Sequence, residues 1–421
     1  MEDGAEGQRR VKMSQPLYMD VELEALTPVM MGGADFRAEV RPPSFRGMAR
    51  VWLRALLGGI FGDDPAAVHA VERVVFGGTA QRSAVAIRTL SQPAVGALPV
   101  DRSEFPGVGY LFYSIYQTGR DAIQPAERFQ LRLQTRPGEW AETQSDGYAI
   151  NAENAWQLTL AALWLAVNLG GVGKRSRRGG GCLCFAEIPS GWPAVLPSPR
   201  LRSTTPRELA DELGAGLSAL RRAWAWPPAA EVHSPSSFNV LHPQTFDLYI
   251  LDQTYPTWYQ ALDAIGQAFQ AFRRREPHDY EGVKGVLART RRALSDVHRA
   301  IFGLPLMFYF SSLYRELVGQ GVPAREARPR VSATLTAPRG MVRPSPLWVR
   351  VARLAAADPA YVVQILLFRS RFLEDEHMVL RPGDRAMPPV QVQAPQDFSV
   401  VEAWFQHVEQ HVAPLQSVTF I

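Results

Sequence analysis

Apolar and polar positions alternate in several stretches of the first half of the chain, as they do in strands that bury one face. Residues 18–26 (YMDVELEAL) and 83–90 (SAVAIRTL) show this pattern most clearly. Further strand signals come from residues 110–115, 129–133 and 182–188. These five stretches predict the strands of one half-buried sheet.

Two helices are predicted between these strands. In residues 45–57 (FRGMARVWLRALL), apolar side chains recur at helical spacing, and Phe45 and Trp52 belong to the resulting apolar face. Residues 151–169 (NAENAWQLTLAALWLAVNL) predict a second, buried helix. The order of elements is β-α-β-β-α-β with insertions, which is the ferredoxin-like (RRM-like) arrangement.

The second half of the chain predicts another domain of mixed helix and strand. Residues 189–244 are rich in Pro, Ser and Ala and indicate a connector with one helix at 206–224. The predicted strands lie at 245–251, 331–336, 347–354 and 362–368, with a short final strand, and the predicted helices lie at 257–275, 284–300 and 400–411. The fold class is therefore α+β. The predicted domains are residues 1–195, a connector at 196–244, and residues 245–421.

Composition agrees with a globular protein of two domains. A chain of 421 residues is too long for one ordinary core, and 46% hydrophobic with 20% charged residues is a globular balance. The apolar runs are too short to span a bilayer, and the N-terminus has no apolar signal segment, so we expect a cytoplasmic protein. Cys182 and Cys184 lack the partner cysteines of a four-ligand zinc site.

The formal net charge is only +4, but almost all 45 cationic residues are arginines, because the lysines are Lys12, Lys174 and Lys284 alone. A GC-rich genome would explain that total. It would not explain the clustering of arginines, which creates a local positive field.

Residues 170–181 (GGVGKRSRRGGG) resemble a nucleotide-binding P-loop at first sight. That motif requires Ser or Thr after its lysine and a glycine six residues before the lysine. Here Arg175 follows Lys174, and Asn168 stands where the first glycine should be. The segment also leaves a helix and enters a strand, so no helix N-terminus faces it, and we reject the P-loop.

The same loop is suited to the backbone of a nucleic acid. Glycines let two backbones approach closely, and guanidinium groups bind phosphates through two hydrogen bonds. Lys174, Arg175, Arg177 and Arg178 would supply the cations. The alternative is a solvated loop whose charges only keep the protein soluble.

A second basic element lies in residues 41–54 (RPPSFRGMARVWLR). Ser44 is the predicted N-cap of the helix, and Arg46, Arg50 and Arg54 form a stripe away from the apolar face. The loops after the first strand and before the last strand should meet at one edge of the sheet, so this helix and the glycine loop should converge. The alternative is an amphipathic helix whose arginines pair with Glu24 or Asp35.

Three segments together resemble the RAMP superfamily of CRISPR-associated RNA-binding proteins. They are TPVMMGGADFRAEVRPPSFRGMARVWLRALLG, VFGGTAQRSAVAIRTL and GGVGKRSRRGGG. With HRAIFGLPLMF and RPSPLWVRV in the second half, the chain is similar, more narrowly, to the two-domain RAMP subunits at the head of type III-B (Cmr) effector complexes.

The resemblance implies tandem ferredoxin-like domains, no cofactor, and assembly with sibling RAMP subunits on a guide RNA. It implies binding of guide or target RNA without cleavage. The RNA-binding residues expected from the residues and the resemblance are Arg41, Ser44, Arg46, Arg50, Arg54, Gly171, Gly173, Lys174, Arg175, Ser176, Arg177, Arg178 and Gly179; the family pattern also includes Gly47 and Gly170.

An endoribonuclease is the alternative from the class of enzymes. Asp35 with Mg²⁺, or His69 without a metal, would then carry the chemistry. His69 lies in a segment that predicts a surface helix, and the sequence favours a structural role for Asp35, as a salt bridge to Arg37 or a loop cap. His407 and His411 have spacing compatible with a metal, but no third ligand is evident.

Overall fold

The computed structural model describes residues 10–13, 16–32, 37–119, 121–136, 138–141, 144–145, 148–274 and 277–421. Its helices are α1 (Pro42–Phe61), α2 (Pro65–Phe76), α3 (Pro106–Leu111), α4 (Tyr113–Tyr116), α5 (Ala152–Asn168), α6 (Pro206–Arg222), α7 (Trp258–Arg274), α8 (Pro277–Leu287), α9 (Ser311–Gly319), α10 (Ala324–Arg330) and α11 (Ser399–His411), with 3₁₀ turns at His298–Phe302 and Pro338–Gly340.

The strands are β1 (Arg10–Met13), β2 (Tyr18–Ala25), β3 (Val85–Thr89), β4 (Val95–Gly96), β5 (Ala122–Ile123), β6 (Arg128–Thr135), β7 (Gly138–Ala141), β8 (Gln144–Ser145), β9 (Tyr148–Ala149), β10 (Leu183–Phe185), β11 (Phe246–Tyr255), β12 (Leu306–Tyr309), β13 (Ser332–Thr336), β14 (Leu347–Arg353), β15 (Tyr361–Phe368), β16 (His377–Pro382), β17 (Val390–Gln393) and β18 (Leu415–Ser417). The fold mixes helices with antiparallel sheets, as the α+β class predicts.

The larger compact unit contains residues 1–267, 348–369 and 412–421. Its first sheet has the order β10-β2-β6-β3 and its second the order β14-β15-β11-β18. The strand pairs β10–β2, β2–β6 and β3–β6 are antiparallel, as are β11–β15 and β11–β18. Both sheets share one core, because Trp52 of α1 packs 5.4 Å from Trp348 and 5.8 Å from Phe368 of the second sheet.

The smaller unit contains residues 268–347 and 370–411, with a four-stranded sheet of order β12-β13-β16-β17. Two aromatic clusters support it. Phe269 packs against Phe302 and Trp404, and Tyr280 packs against Phe310.

These units differ from the predicted segments 1–195, 196–244 and 245–421. The connector contributes α6, whose Leu213, Leu217 and Leu220 are buried in the core of the larger unit. Strands β14 and β15 also belong to that unit although they follow most of the smaller unit in sequence. Whether the predicted segments fold as separate domains stays a prediction.

Two predicted elements are wrong. Residues 110–115 are helical rather than extended: Val108, Leu111, Phe112 and Ile115 are buried at helical spacing and form one face of two short helices, whereas Tyr113 is exposed. The helix predicted at 284–300 ends at Leu287, because Arg289 turns into the left-handed region at φ 60°.

Candidate nucleic-acid interface

The glycine loop, residues 170–181, connects α5 to β10 through a compact set of turns. Val172 N–H donates to Gly181 O at 3.0 Å, and the N–H groups of Arg178 and Gly180 both donate to Arg175 O. The loop contains four left-handed residues: Gly173 (φ 85°), Arg175 (φ 60°), Gly179 (φ 83°) and Gly181 (φ 66°). Its own hydrogen bonds therefore define its path.

Several glycines of this loop make room for the protein itself. A Cβ at Gly181 would lie 1.9 Å from Val172 O, and one at Gly179 would lie 2.3 Å from Leu262 Cδ2. A Cβ at Gly173 would lie 2.7 Å from Met30 O, although Gly173 is exposed on its other side. At Gly179 and Gly181 the space expected for an approaching ligand backbone is thus filled by the chain itself.

A buried arginine from the second sheet holds the base of the loop. Arg350, on β14, is 2% exposed, and its guanidinium donates to the backbone oxygens of Gly170 (3.0 Å), Leu183 (2.6 Å) and Val167. It also donates to Gln364 Oε1 at 3.0 Å. Burial lowers the pKa of this guanidinium. The carbonyls at the end of α5 thereby gain the donor that a helix C-terminus lacks.

The cationic side chains of the loop differ in their surroundings. Lys174 is exposed, and its N–H donates to Met30 O. Arg175 is partly buried; its Nε donates to Ser114 Oγ at 3.0 Å, and burial lowers its pKa. The guanidinium of Arg177 lies 4.7 Å from the ring centre of Trp348, and Arg178 forms a β-bridge with Val349. The side chains of Arg175 and Arg177 are therefore partly occupied by the protein, and the backbone of Arg178 is tied to β14.

Helix α1 begins earlier than predicted. Its N-cap is Arg41, and Pro42 occupies the first turn, where a fixed φ favours helix initiation. Ser44 is therefore inside the helix and is not its cap. The Arg41 guanidinium donates to Gly32 O at 2.8 Å and lies 3.3 Å from Glu39. The helix start and Lys174 thus both contact the segment Met30–Gly32.

The arginine stripe of α1 is directed at α2. Arg54 binds Glu72 through two hydrogen bonds of 2.9 and 3.2 Å. Arg50 lies 3.2 Å from the same carboxylate and donates to the backbone oxygens of Phe76 (2.7 Å) and Gly77. Glu72 is only 3% exposed. The sequence suggested Glu24 or Asp35 as partners, but Glu24 pairs with Arg353 and Arg128, and Asp35 lies outside the described residues.

The stripe and the glycine loop consequently do not converge as expected. Gly170, at the start of the loop, lies against Trp52. Trp52 is on the face of α1 opposite Arg50, because the helix turns by about 100° per residue. The start of α1 and the loop both contact the segment Met30–Gly32, but the rotation of α1 about its axis directs Arg50 and Arg54 elsewhere.

A cleft of 870 Å³ opens beside this stripe. We call it the arginine cleft; its cationic lining consists of Arg46, Arg50, Arg54, Arg73, Arg82 and Arg136. The sequence suggested only the first three. The others come from α2, the turn after it and the end of β6, and no sequence spacing relates these elements. Burial, followed by the charges of Arg82 and Arg46, lowers the pKa of Arg136.

The groups considered for catalysis are dispersed. His69 lines the arginine cleft, with its side chain 70% exposed and Nδ1 3.9 Å from Glu72. His407 and His411 pack with ring centres 4.1 Å apart. Within the part of the chain that the structure describes, no three His, Cys, Asp or Glu side chains form a metal-binding group, and no helix is long and apolar enough to cross a membrane. Cys182 and Cys184 are free thiols that form no disulfide.

Comparison with known proteins places the chain in a family. The model of the RAMP superfamily matches residues 22–184. The CRISPR system Cmr subunit Cmr1-2 of Pyrococcus furiosus is 32% identical over 173 residues, which are 38% of this chain and 91% of that protein. Cmr subunit Cmr1-1 of the same organism is 34% identical over 157 residues, 36% of this chain and 42% of that protein.

Two solved structures share the fold over most of the chain. The crystal structure of apo Cmr1 from Pyrococcus furiosus has a TM-score of 0.56 at 21% identity and covers 96% of this chain and 99% of its own. A chain from the cryo-EM structure of type III-B Cmr-β bound to cognate target RNA has a TM-score of 0.50 at 12% identity, covering 86% and 97%. The expected resemblance is confirmed: the chain belongs to the RAMP superfamily, among the relatives of the Cmr subunit Cmr1.

Proposed function

We propose that this protein is a non-catalytic, RNA-binding subunit of a type III-B (Cmr) effector complex that serves antiviral defence in the cytoplasm. Its relatives include two Cmr subunits, and a chain of similar fold comes from a Cmr complex bound to target RNA. Its partners would be the guide RNA, the target RNA and sibling RAMP subunits, and it would need no cofactor.

We also propose that the fold is a tandem of ferredoxin-like domains. Numbered within each β-α-β-β-α-β series, both sheets of the larger unit have the strand order 4-1-3-2. This is the order of a ferredoxin-like sheet. The sheet of the smaller unit would then be built from two insertions into the second domain: β12 and β13 lie between its first helix and second strand, and β16 and β17 lie between its third strand and second helix.

The RNA-binding surface that we assign to this function is the loop surface, formed by the exposed part of the glycine loop and the start of α1. The observation that carries the assignment is that the loop is fixed by its own hydrogen bonds and by Arg350 while Gly173 and Lys174 stay exposed. An ordered backbone loses little conformational entropy on binding, and a phosphate chain can approach Gly173 closely. The surface comprises Arg41, Ser44, Gly171, Gly173, Lys174, Arg175, Ser176, Arg177 and Arg178; the buried Gly179 shapes the loop beneath it.

This assignment is tested by removing two cationic side chains: that of Arg41, which donates to Gly32 O, and that of the exposed Lys174, whose backbone N–H donates to Met30 O. In Arg41→Ala/Lys174→Ala, the affinity for single-stranded RNA should fall about 25-fold at 0.1 M salt, and the salt slope should flatten by about 1.4, because each phosphate contact contributes about 0.7. The matched control, Arg207→Ala/Arg222→Ala, removes the same charge from exposed positions at the two ends of α6 and should bind normally. Equal affinity and slope in wild type and test variant would refute the assignment.

A metal-independent endoribonuclease is the second candidate, because His69 lines a cleft of guanidinium groups that would attract RNA. Incubating the protein with end-labelled RNA, with and without EDTA, separates the two functions. We expect intact RNA in both samples. Cleavage that persists in EDTA and disappears in His69→Ala would establish the enzyme, and cleavage lost in EDTA and in Asp35→Ala would establish the metal-dependent form.

A further inference from the structure

The arginine cleft contains far more positive than negative charge. Six arginines line it, and Glu72 is the one carboxylate among the lining residues of the described chain. That carboxylate is already shared by Arg50 and Arg54. Four guanidinium groups, those of Arg46, Arg73, Arg82 and Arg136, therefore face the cleft without a balancing carboxylate in its lining.

The protein leaves hydrogen-bonding capacity of these groups unused. Arg46 Nε and Arg73 Nε are buried from solvent and have no hydrogen-bond partner, and Gln81 Nε2 beside them is in the same state. Arg136 Nε makes a long contact of 3.4 Å with Ser83 Oγ. Buried donors without partners and like charges at close range each cost free energy, which a bound anion would recover.

The chemistry of the lining selects the anion. Planar guanidinium groups form paired hydrogen bonds with carboxylates and phosphates, and arginine predominates where phosphate is recognised. Several forks around one cleft suit a group with several acceptor oxygens, or a chain of such groups. The volume of 870 Å³ falls within the range of small-molecule sites, about 300–1,000 Å³, so the cleft has room for a nucleotide-sized ligand.

We propose that the arginine cleft is a second phosphate-binding site, separate from the loop surface. Its phosphates come either from the backbone of a single-stranded RNA or from a terminal or free phosphate group. The site lies on the side of α1 opposite Trp52 and Gly170, and it uses Arg73, Arg82 and Arg136. It does not depend on RNA binding by the loop surface.

The test replaces the three arginines that make no ion pair with Glu72 and lie outside α1. Full-length Arg73→Ala/Arg82→Ala/Arg136→Ala is compared with wild type for binding of a fluorescent single-stranded RNA with a 5′-hydroxyl end, and separately for binding of inorganic pyrophosphate by calorimetry. If each guanidinium neutralises one phosphate, RNA affinity should fall about 100-fold at 0.1 M salt and the slope should flatten by about 2. The control Arg202→Ala/Arg207→Ala/Arg222→Ala loses the same charge from exposed positions and should bind like wild type.

The outcomes identify the source of the phosphate. Weaker RNA binding in the cleft variant alone assigns the site to an RNA backbone, whereas loss of pyrophosphate binding with unchanged RNA affinity assigns it to a terminal or free phosphate. Unchanged binding of both probes overturns the proposal, as does an equal loss in the control. Should the triple variant fail to fold, Arg82→Ala, at an exposed position, should still lower affinity about fivefold, and Arg82→Lys should restore part of it.

The two RNA-binding hypotheses fail independently. One outcome supports the loop surface and refutes the cleft as a phosphate site: Arg41→Ala/Lys174→Ala weakens RNA binding, whereas the cleft variant changes neither RNA binding nor pyrophosphate binding. If only the cleft variant weakens it, the loop surface is refuted and the cleft stands.

Discussion

Replacing Arg350 by methionine should loosen the glycine loop without touching any residue of that loop. Methionine is similar in length and keeps most of the apolar stem, but it has no N–H donors. The substitution removes the hydrogen bonds to Val167 O, Gly170 O and Leu183 O, and it leaves these carbonyls buried without that donor. The loop would keep its bridge from Arg178 to Val349 but lose the side-chain hydrogen bonds from β14 that hold its base.

The magnitude follows from two opposing contributions. Each buried acceptor that loses its donor costs about 1–3 kcal/mol, and three such acceptors are affected. Against this, the folded protein no longer has to bury a guanidinium, whose desolvation costs several kcal/mol. The lowered pKa of Arg350 reflects that desolvation. We expect the free energy of opening the loop to fall by about 2–4 kcal/mol.

Hydrogen–deuterium exchange read by mass spectrometry measures this directly. In a peptide covering residues 167–185, amides such as Val172 and Gly180 should exchange about 30- to 700-fold faster, because 1.4 kcal/mol corresponds to a factor of ten. Arg207→Met, at a 75% exposed arginine, is the control and should leave that peptide unchanged. Unaltered exchange in Arg350→Met would show that the loop is held by other contacts and refute the reasoning.

Three further predictions concern separate parts of the larger unit. Gly181→Ala should lower the free energy of unfolding, measured by denaturant titration, by about 2–4 kcal/mol, because the new Cβ would clash with Val172 O. Gly191 also has a positive φ, but a Cβ there would meet nothing within 4 Å, so Gly191→Ala should cost only about 1–2 kcal/mol. Similar losses in the two variants would disprove the clash. Glu72→Gln should destabilise the protein by about 3 kcal/mol, because the guanidinium groups of Arg50 and Arg54 lose their carboxylate. The same change should steepen the salt dependence of RNA binding, because the two guanidinium groups become available to phosphates. An unchanged slope would argue against phosphate binding in the arginine cleft. Burial raises the pKa of the Cys184 thiol to about 11, so only about one thiol in a thousand is ionised at pH 8. A disulfide reagent should therefore modify Cys184 slowly in the folded protein and rapidly once guanidinium chloride unfolds the chain. Rapid labelling of the folded protein would contradict this prediction.

Local patterns were sufficient to predict most elements of the core. The alternation in residues 18–26 corresponds to β2, and the apolar run in residues 151–169 corresponds to α5, because one buried face imposes a period of two on a strand and of 3.6 on a helix. The same reasoning failed at 110–115, where Leu111, Phe112 and Ile115 are buried on one face of two short helices. Composition and motifs also excluded a P-loop and led to the RAMP superfamily.

The sequence by itself therefore determined the class of fold, the glycine loop between a helix and a strand, and the existence of two basic elements. Only the tertiary structure decided which way those elements face. Glu72 binds Arg50 and Arg54 from a neighbouring helix, and Arg350 reaches the loop from a strand about 170 residues further along the chain. Contacts between residues so distant in sequence leave no periodic signal, because a periodic pattern reports only which face of an element is buried and not what packs against it.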